Sequence, residues 1–361
     1  MKRIICFHLF NDYSGSPKVL AMVLKGLLGH GYQVDLVSSR EGILDELEKC
    51  PNLKKTSYKY VFSGNGLITL LRYMMVQLYT FFLAFRYWSC KNCTFYINTL
   101  LPIGPALAGR IMGKRVIYHY HENAFAKGTF YQVLAWAMQR LAHEIICVSA
   151  YQASFLERKK EIEVIPNALP QELANRLCPN PKEAFRRKNI LMLSSLKEYK
   201  GTREFIELAK RLPQFSFTLV INDTQEHIDN YLKQIFFPCT IKNLIIYPRQ
   251  MNVSPFYNIA TLVLNLSDKS RFIETFGMTA LEAMSAGLPV IVPTVGGIAE
   301  MVEDGINGYK IDIQEFDKIA ECIETVLSDE KLYLTLATNA LGYSRKFHEK
   351  EMVDSVIRIL S

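Results

Sequence analysis

Residues 271–310 read RFIETFGMTALEAMSAGLPVIVPTVGGIAEMVEDGINGYK. Glu274 stands before Thr275-Phe276-Gly277, which reads as a loop. Residues 278–285 are good helix formers, and Gly287 with Pro289 behind it ends that helix. The apolar run 289–292 is a short buried strand, and 309–311 is another. Loop, helix and strand in succession make one step of an α/β alternation. Followed towards the amino terminus, the same alternation predicts strands over 189–193, 216–221, 243–247 and 261–265. It breaks at Pro166-Asn167-Ala168-Leu169-Pro170 and a polar stretch holding Pro179, Pro181 and Arg186-Arg187-Lys188, the best linker in the chain. Before the break runs a first series of strands, over 4–9, 33–37, 94–98, 116–119, 144–148 and 163–165, with helical stretches such as 18–28 and 133–141 between them. The expectation is two doubly wound α/β domains in tandem, 1–168 and 189–344, joined by a linker at 169–188. Ligands of such sheets sit at the carboxyl ends of the strands, so two facing sheets would place the site in a cleft.

Length and composition agree. The chain has 361 residues, 49% of them hydrophobic and 21% charged, enough for two ordinary cores at about 150 residues each. Collagen, coiled coil, disulfide miniprotein and polytopic membrane protein are excluded. The net charge of +7 is uneven: residues 1–168 carry 20 Lys/Arg and 11 Asp/Glu, or +9, and the remainder carries 22 and 24, or −2. A basic first half points to an anionic partner, a phosphate-bearing ligand or a membrane surface. The basic residues are scattered, so no nucleic acid is expected. Eight cysteines spread from Cys6 to Cys322 read as reduced thiols, and the one C-x-x-C, Cys90 and Cys93, has no second pair to complete a zinc site. The apolar run behind Lys2-Arg3 ends at Asn11-Asp12, too early for a signal peptide, so a cytoplasmic location is expected.

The chemistry concentrates in the opening stretch. Gly277 lets the backbone approach a ligand closely, and the amides of Gly277, Met278 and Thr279 open a helix. A helix start is an anion site, worth about 0.3–1 kcal/mol per exposed charge. Glu274 precedes that helix and Glu282 lies in its second turn. Carboxylates beside a phosphate site do not bind the phosphate; they accept hydrogen bonds from hydroxyls, at about 1.5–3 kcal/mol for a charged acceptor. A phosphate between two polyhydroxyl groups fits, and a sugar nucleotide is such a molecule.

Glu274, seven residues, Glu282 and the sequence AMSAGLPVIVPTVGGIAEMVEDGINGY behind it resemble the signature of retaining glycosyltransferases of family 4, which have the two-domain, Rossmann-like GT-B fold. Other landmarks resemble the family in the same order: Ser14-Gly15-Ser16-Pro17, its glycine loop; His121-Glu122, its histidine motif; Val148-Ser149 with Val164-Ile165-Pro166-Asn167, the close of its first domain; and Lys200-Gly201 in the second. The resemblance implies roles. Glu282 holds the ribose hydroxyls, and Glu274 the donor-sugar hydroxyls together with amides around Phe276 and Gly277. Lys200 and the amides near Met278 and Thr279 bind the diphosphate. Gly15 lets the first-domain loop close over the phosphate, His121 contacts the donor sugar, and Pro248-Arg249 holds the base. The last helix, within 345–361, packs back on the first domain. One position departs: where the family has an arginine five residues before the lysine, this chain has Ser195, and Lys197 is the nearest cation to replace it.

The implied reaction is metal-independent glycosyl transfer with retention, from a UDP- or GDP-sugar to a cell-envelope glycan or lipid-linked acceptor, with no cofactor. Two other functions stay open: a non-hydrolysing sugar-nucleotide epimerase, and a silent sugar-nucleotide-binding subunit of a polysaccharide synthase. Residues 67–88, LITLLRYMMVQLYTFFLAFRYW, also keep two readings. Arg72 and Arg86 bracket an apolar run too short to span a bilayer, which needs about 20 residues. The segment is either a core helix or one whose aromatic face lies against an anionic membrane, which would place the protein on the inner face of the plasma membrane.

Overall fold

A computed structural model describes residues 2–157, 161–235 and 241–361. The chain divides into two compact units, residues 1–168 with 349–361, and residues 169–348. Each is built on one sheet whose strands all run parallel.

The first unit has seven strands: β1 (Arg3–His8), β2 (Gln33–Ser39), β3 (Leu53–Tyr58), β4 (Cys93–Asn98), β5 (Arg115–Tyr120), β6 (Glu144–Cys147) and β7 (Ile162–Val164), in the order β3-β2-β1-β4-β5-β6-β7. The central strands β1, β4 and β5 are near-continuously apolar because helices cover both their faces. β3 was not foreseen. It reads LKKTSY and lies at the sheet edge, half-exposed, where lysines discourage further pairing and no apolar run is needed. On one face of the sheet α1 (Gly15–Gly29) and the last helix, Glu349–Leu360, share a core that includes Leu20, Leu24, Met352 and Val356. On the other face pack α2 (Gly66–Ala84), α3 (Ile103–Ile111) and α4 (Thr129–Leu141), over Phe95, Tyr118 and Ile145.

The second unit has six strands: β8 (Asn189–Ser194), β9 (Ser216–Ile221), β10 (Leu244–Tyr247), β11 (Leu262–Leu264), β12 (Val290–Val292) and β13 (Gly308–Lys310), in the order β10-β9-β8-β11-β12-β13. Residues 169–188, read from sequence as a linker, belong to this unit. They fold into two short helices, Gln171–Ala174 and Pro181–Arg187, and Ala184 and Phe185 are buried. The proline-rich polar composition marked helix starts: Asn180 caps the second helix by accepting from the Glu183 amide, with Pro181 behind it. Of residues 345–361, expected as the final helix, 345–348 fall in the second unit and only Glu349–Leu360 forms the helix that packs on α1.

Candidate functional site

In the second unit the chemistry-bearing side chains gather where β8, β9, β10 and β11 end. Lys200 lies on the turn after β8 and Glu274 on the loop after β11. They form an ion pair through Nζ and Oε1, both about one-fifth exposed. Tyr199 and Phe272 stack face to face with centroids 4.8 Å apart, and the Lys200 ammonium sits 4.2 Å from the centroid of Phe272. The cation is thus held by a carboxylate on one side and a π-face on the other. Ser267 Oγ donates to Glu274 Oε1 at 3.3 Å. Burial pushes the Glu274 carboxyl up. The Lys200 charge and its hydrogen bond, with Ser267 and Asn265, outweigh that and hold it below the ordinary carboxylate range. Glu274 is ionised at neutral pH.

Two glycines set the loop's path. Gly296 has φ +114°, and a Cβ there would lie 2.4 Å from the Glu274 carbonyl, which accepts the Gly297 amide at 2.8 Å. Gly277 has φ +92° and opens the helix Met278–Ser285; a Cβ there would strike Ile298 at 2.4 Å. No other residue type fits either position unstrained. The first amides of that helix have no carbonyl of their own helix to bond. Asn265 ties this helix start to the ion pair: its Nδ2 donates to Thr279 Oγ1 at 3.5 Å, and it hydrogen-bonds Glu274. Phe276 and its neighbours divide the work. The Phe276 ring is buried against Phe347, centroids 5.8 Å apart, so only its backbone is available to a ligand. Met278 and Thr279 are half-buried at the helix start.

Glu282 is half-buried, and its Oε2 accepts a 2.6 Å hydrogen bond from Tyr257 Oη. Burial and the neighbouring Glu282 carboxylate push the Tyr257 phenol well above its ordinary range, so it remains a donor. Arg249, exposed beyond β10, donates through Nε to Asn222 Oδ1 at 2.7 Å, and its amide bonds the Asp223 carbonyl. The Lys197 ammonium lies 5.9 Å from the Tyr199 ring centroid, next to Lys200 on the same turn. Ser195, where the family pattern has arginine, has its carbonyl bonded by Thr202 Oγ1 at 3.1 Å.

The first unit gathers neutral groups. The register of β1, β4 and β5 sets His8, Asn98 and His119 in one row at the carboxyl edge. Asn98 Nδ2 donates to His8 Nδ1 at 3.0 Å, and Asn98 Oδ1 accepts from His121 Nε2 at 3.1 Å. The His119 ring lies 4.2 Å from that of His121, and its Nδ1 pairs with Tyr96 Oη at 2.6 Å. Burial lowers all three imidazoles, His119 to about 3, and the neighbouring imidazoles add to this for His121, which lies well below its ordinary value. His121 is therefore a neutral hydrogen-bonding group. His8 Nε2 and His119 Nε2 are buried without a partner. Thr99, next to Asn98, holds φ +72°, a conformation costly for a β-branched residue and common at functional sites. Glu122 accepts the Leu100 amide at 3.0 Å, and burial raises its pKa, which makes it a support for the β4 loop. Gly15 begins α1, and a Cβ there would meet nothing within 4 Å.

The sequence reading thus named Lys200, Glu274, Glu282 and His121 but missed what holds each in place: Ser267 and Asn265, Tyr257, and the pair His8 and Asn98. The sequence signal of most was position, at or just beyond a strand end; Tyr257, on the short helix Ser254–Ile259, had none. Among the described residues no cluster of three or more His, Cys, Asp or Glu is placed to hold a metal ion.

Two family models match this chain almost end to end: one described as Glycosyltransferase Family 4 over residues 13–173, and one described as Glycosyl transferases group 1 over residues 180–342. An uncharacterized glycosyltransferase of Methanocaldococcus jannaschii is 29% identical over 211 residues, 55% of this chain and 52% of that protein. N-acetyl-alpha-D-glucosaminyl L-malate synthase of Bacillus anthracis is 36% identical over 112 residues, 28% of each chain. The matches thus span about half the length, or less, of these curated relatives. Among solved structures, HepE of Anabaena in complex with UDP and glucose superposes with a TM-score of 0.78 over 100% of this chain and 99% of that one, at 19% identity. The fold is GT-B.

Proposed function

The chain belongs to glycosyltransferase family 4, and from that premise we propose that it is a retaining enzyme that moves a sugar from a UDP- or GDP-sugar to a cell-envelope glycan or lipid-linked acceptor, without a metal ion. The observation that carries the proposal is the Lys200–Glu274 pair, tied through Asn265 to the open amides of the helix Met278–Ser285. A cation and a helix start side by side suit a diphosphate, and an ionised carboxylate beside them suits sugar hydroxyls. The UDP and glucose bound by the Anabaena relative have this chemistry. Glu282, aligned by Tyr257, takes the ribose hydroxyls, and Arg249 lies towards the base. From the first unit, His121 offers a neutral hydrogen bond to the donor sugar.

As the bond between the anomeric carbon and the diphosphate oxygen breaks, charge grows on the leaving group. Lys200 and the helix-start amides stabilise that charge more in the transition state than in the ground state. The acceptor hydroxyl forms the new bond on the face the diphosphate leaves, and its proton passes to the departing phosphate oxygen. Glu274, engaged with Lys200 and the sugar, is not required as a nucleophile. The protein works in the cytoplasm, where nucleotide sugars are supplied.

The deciding experiment incubates the full chain with a panel of UDP- and GDP-sugars and measures free nucleotide. Release of nucleotide with one donor, lost in Lys200→Ala, supports transfer. Conversion of the donor to its epimer without nucleotide release overturns it. Lys197→Ala weakens donor binding if Lys197 replaces the arginine absent at Ser195, and leaves it unchanged if it does not.

A further inference from the structure

Helix α2 is turned inside out. Its inward positions are Tyr73, Val76, Gln77, Thr80 and Ala84, and two of them bond the protein beyond the helix: Gln77 Oε1 accepts the Gly104 amide at 2.9 Å and Tyr73 Oη donates to the Leu101 carbonyl at 2.8 Å. Its outward stripe, spaced three or four residues apart on one helical face, is Leu67, Leu71, Met75, Leu78 and Phe82, with Leu67, Met75 and Phe82 each about 70% exposed. α2 packs on α3, and Tyr73 meets Phe130 of α4 edge to face at 5.6 Å. The same side of the unit exposes Ile111 of α3 and Phe130, Val133 and Trp136 of α4. Exposed apolar surface this extensive marks a binding face.

The charge around it identifies the occupant. Residues 49–143, which hold all three helices, contain twelve Lys/Arg and a single carboxylate, Glu122; that carboxylate is engaged with the Leu100 amide, and of the cations Lys55 and Arg115 are paired with Asp45, Glu48 and Glu144 from outside the stretch, which still leaves positive charge in excess. Both tryptophans of the protein, Trp88 and Trp136, are more than half exposed here, and Arg140 lies 5.0 Å from the ring centroid of Trp136. Apolar side chains, interfacial tryptophans and a cationic border are what a helix lying in the headgroup region of an anionic bilayer presents. A second copy would set one cationic face against another. Although α2 is long and apolar enough to cross a bilayer, its inward hydrogen bonds to residues of the α3 segment hold it to the unit's core, so it lies along a surface.

We propose that α2, α3 and α4 form a docking face for an anionic lipid surface, with α2 parallel to the membrane plane and the Leu67–Phe82 stripe among the acyl chains. The inference stands on the surface of the first unit alone and does not depend on the transfer reaction.

The test uses the full chain with vesicles of phosphatidylcholine, with and without phosphatidylglycerol. Flotation with the anionic vesicles, weakened by salt, and a blue shift of tryptophan emission are expected, because Trp136 lies on α4 and Trp88 follows closely on the end of α2. The exposed-site triple variant Leu71→Glu, Met75→Glu, Phe82→Glu keeps its thermal midpoint and its nucleotide release while its partitioning falls about a thousandfold, since each of the three apolar side chains lost from the acyl region counts for about a decade. No flotation, unchanged flotation of the triple variant, or equal binding to both vesicle types overturns the proposal. So does a wild-type dimer that the triple variant converts to monomer, which would assign the face to a second copy.

Discussion

The two units carry the same sheet architecture but arm their strand ends in opposite ways. In the second unit the groups at the carboxyl edge are charged and mutually compensated: Lys200 against Glu274, with Glu274 held below the ordinary carboxylate range. In the first they are neutral and held so by burial: His8, His119 and His121 around Asn98. A compensated pair can stabilise charge that develops on a ligand. A neutral imidazole row offers hydrogen bonds without charge. The same sheet architecture thus carries paired charge at the strand ends of one unit and neutral imidazoles at those of the other.

The sharpest way to break that contrast is Lys200→Ala. It should cut nucleotide release by about 10²- to 10³-fold, the scale for removing one preorganised charge-stabilising group, and raise the Glu274 pKa by taking away its counter-charge. A loss confined to KM would move Lys200 out of the charge-stabilising role. Next comes a matched pair of glycine replacements. Gly277→Ala should cost about 2–4 kcal/mol of stability, because left-handed backbone and a 2.4 Å approach to Ile298 coincide. Gly15→Ala should leave the thermal midpoint unchanged, since its Cβ enters open space. If it nevertheless reduces nucleotide release, glycine at 15 serves a ligand and not the fold.

The contrast also predicts pH behaviour. Histidines whose folded pKa is depressed stabilise the fold fully above their unfolded value, about 6.5, and lose that contribution as pH falls towards the folded value, about 3 for His119. Between those limits His119 costs up to about 1.4 kcal/mol per pH unit. The first unit, which contains both tryptophans, should therefore weaken below pH ~6.5, read as a falling urea midpoint by tryptophan emission. The double variant Tyr96→Phe, His119→Phe should flatten the slope by one proton. The Glu274–Lys200 pair contributes stability above the ordinary carboxylate pKa, about 4.3, and loses it only as pH falls below that. The smallest effect is expected for Tyr257→Phe. Losing one hydrogen bond to Glu282 should raise the donor KM several-fold, about 1 kcal/mol, with little change in kcat.

Elements that bury an apolar run between two helical layers were legible in the sequence: β1, β4, β5, β8 and β9 stand within a residue or two of where the pattern put them. β3 was not, because an edge strand needs neither apolar continuity nor period. Residues 169–188 were misread because proline, asparagine and basic residues mark a helix start as readily as a linker.

By itself the sequence determined the alternation, since that follows from local spacing, and its family landmarks nominated Glu274, Glu282, Lys200 and His121 as candidates. Only the tertiary structure decided which groups hold them. Strand register sets His8, Asn98 and His119 in a row across residues far apart in the chain, and loop packing on Gly296 aims Glu274. The structure also decided that α2 faces outward. Apolar periodicity tells that a helix has a greasy side, but whether protein covers that side depends on what packs against it, and Gln77 and Tyr73 bond inward while the leucines and Phe82 are left outside.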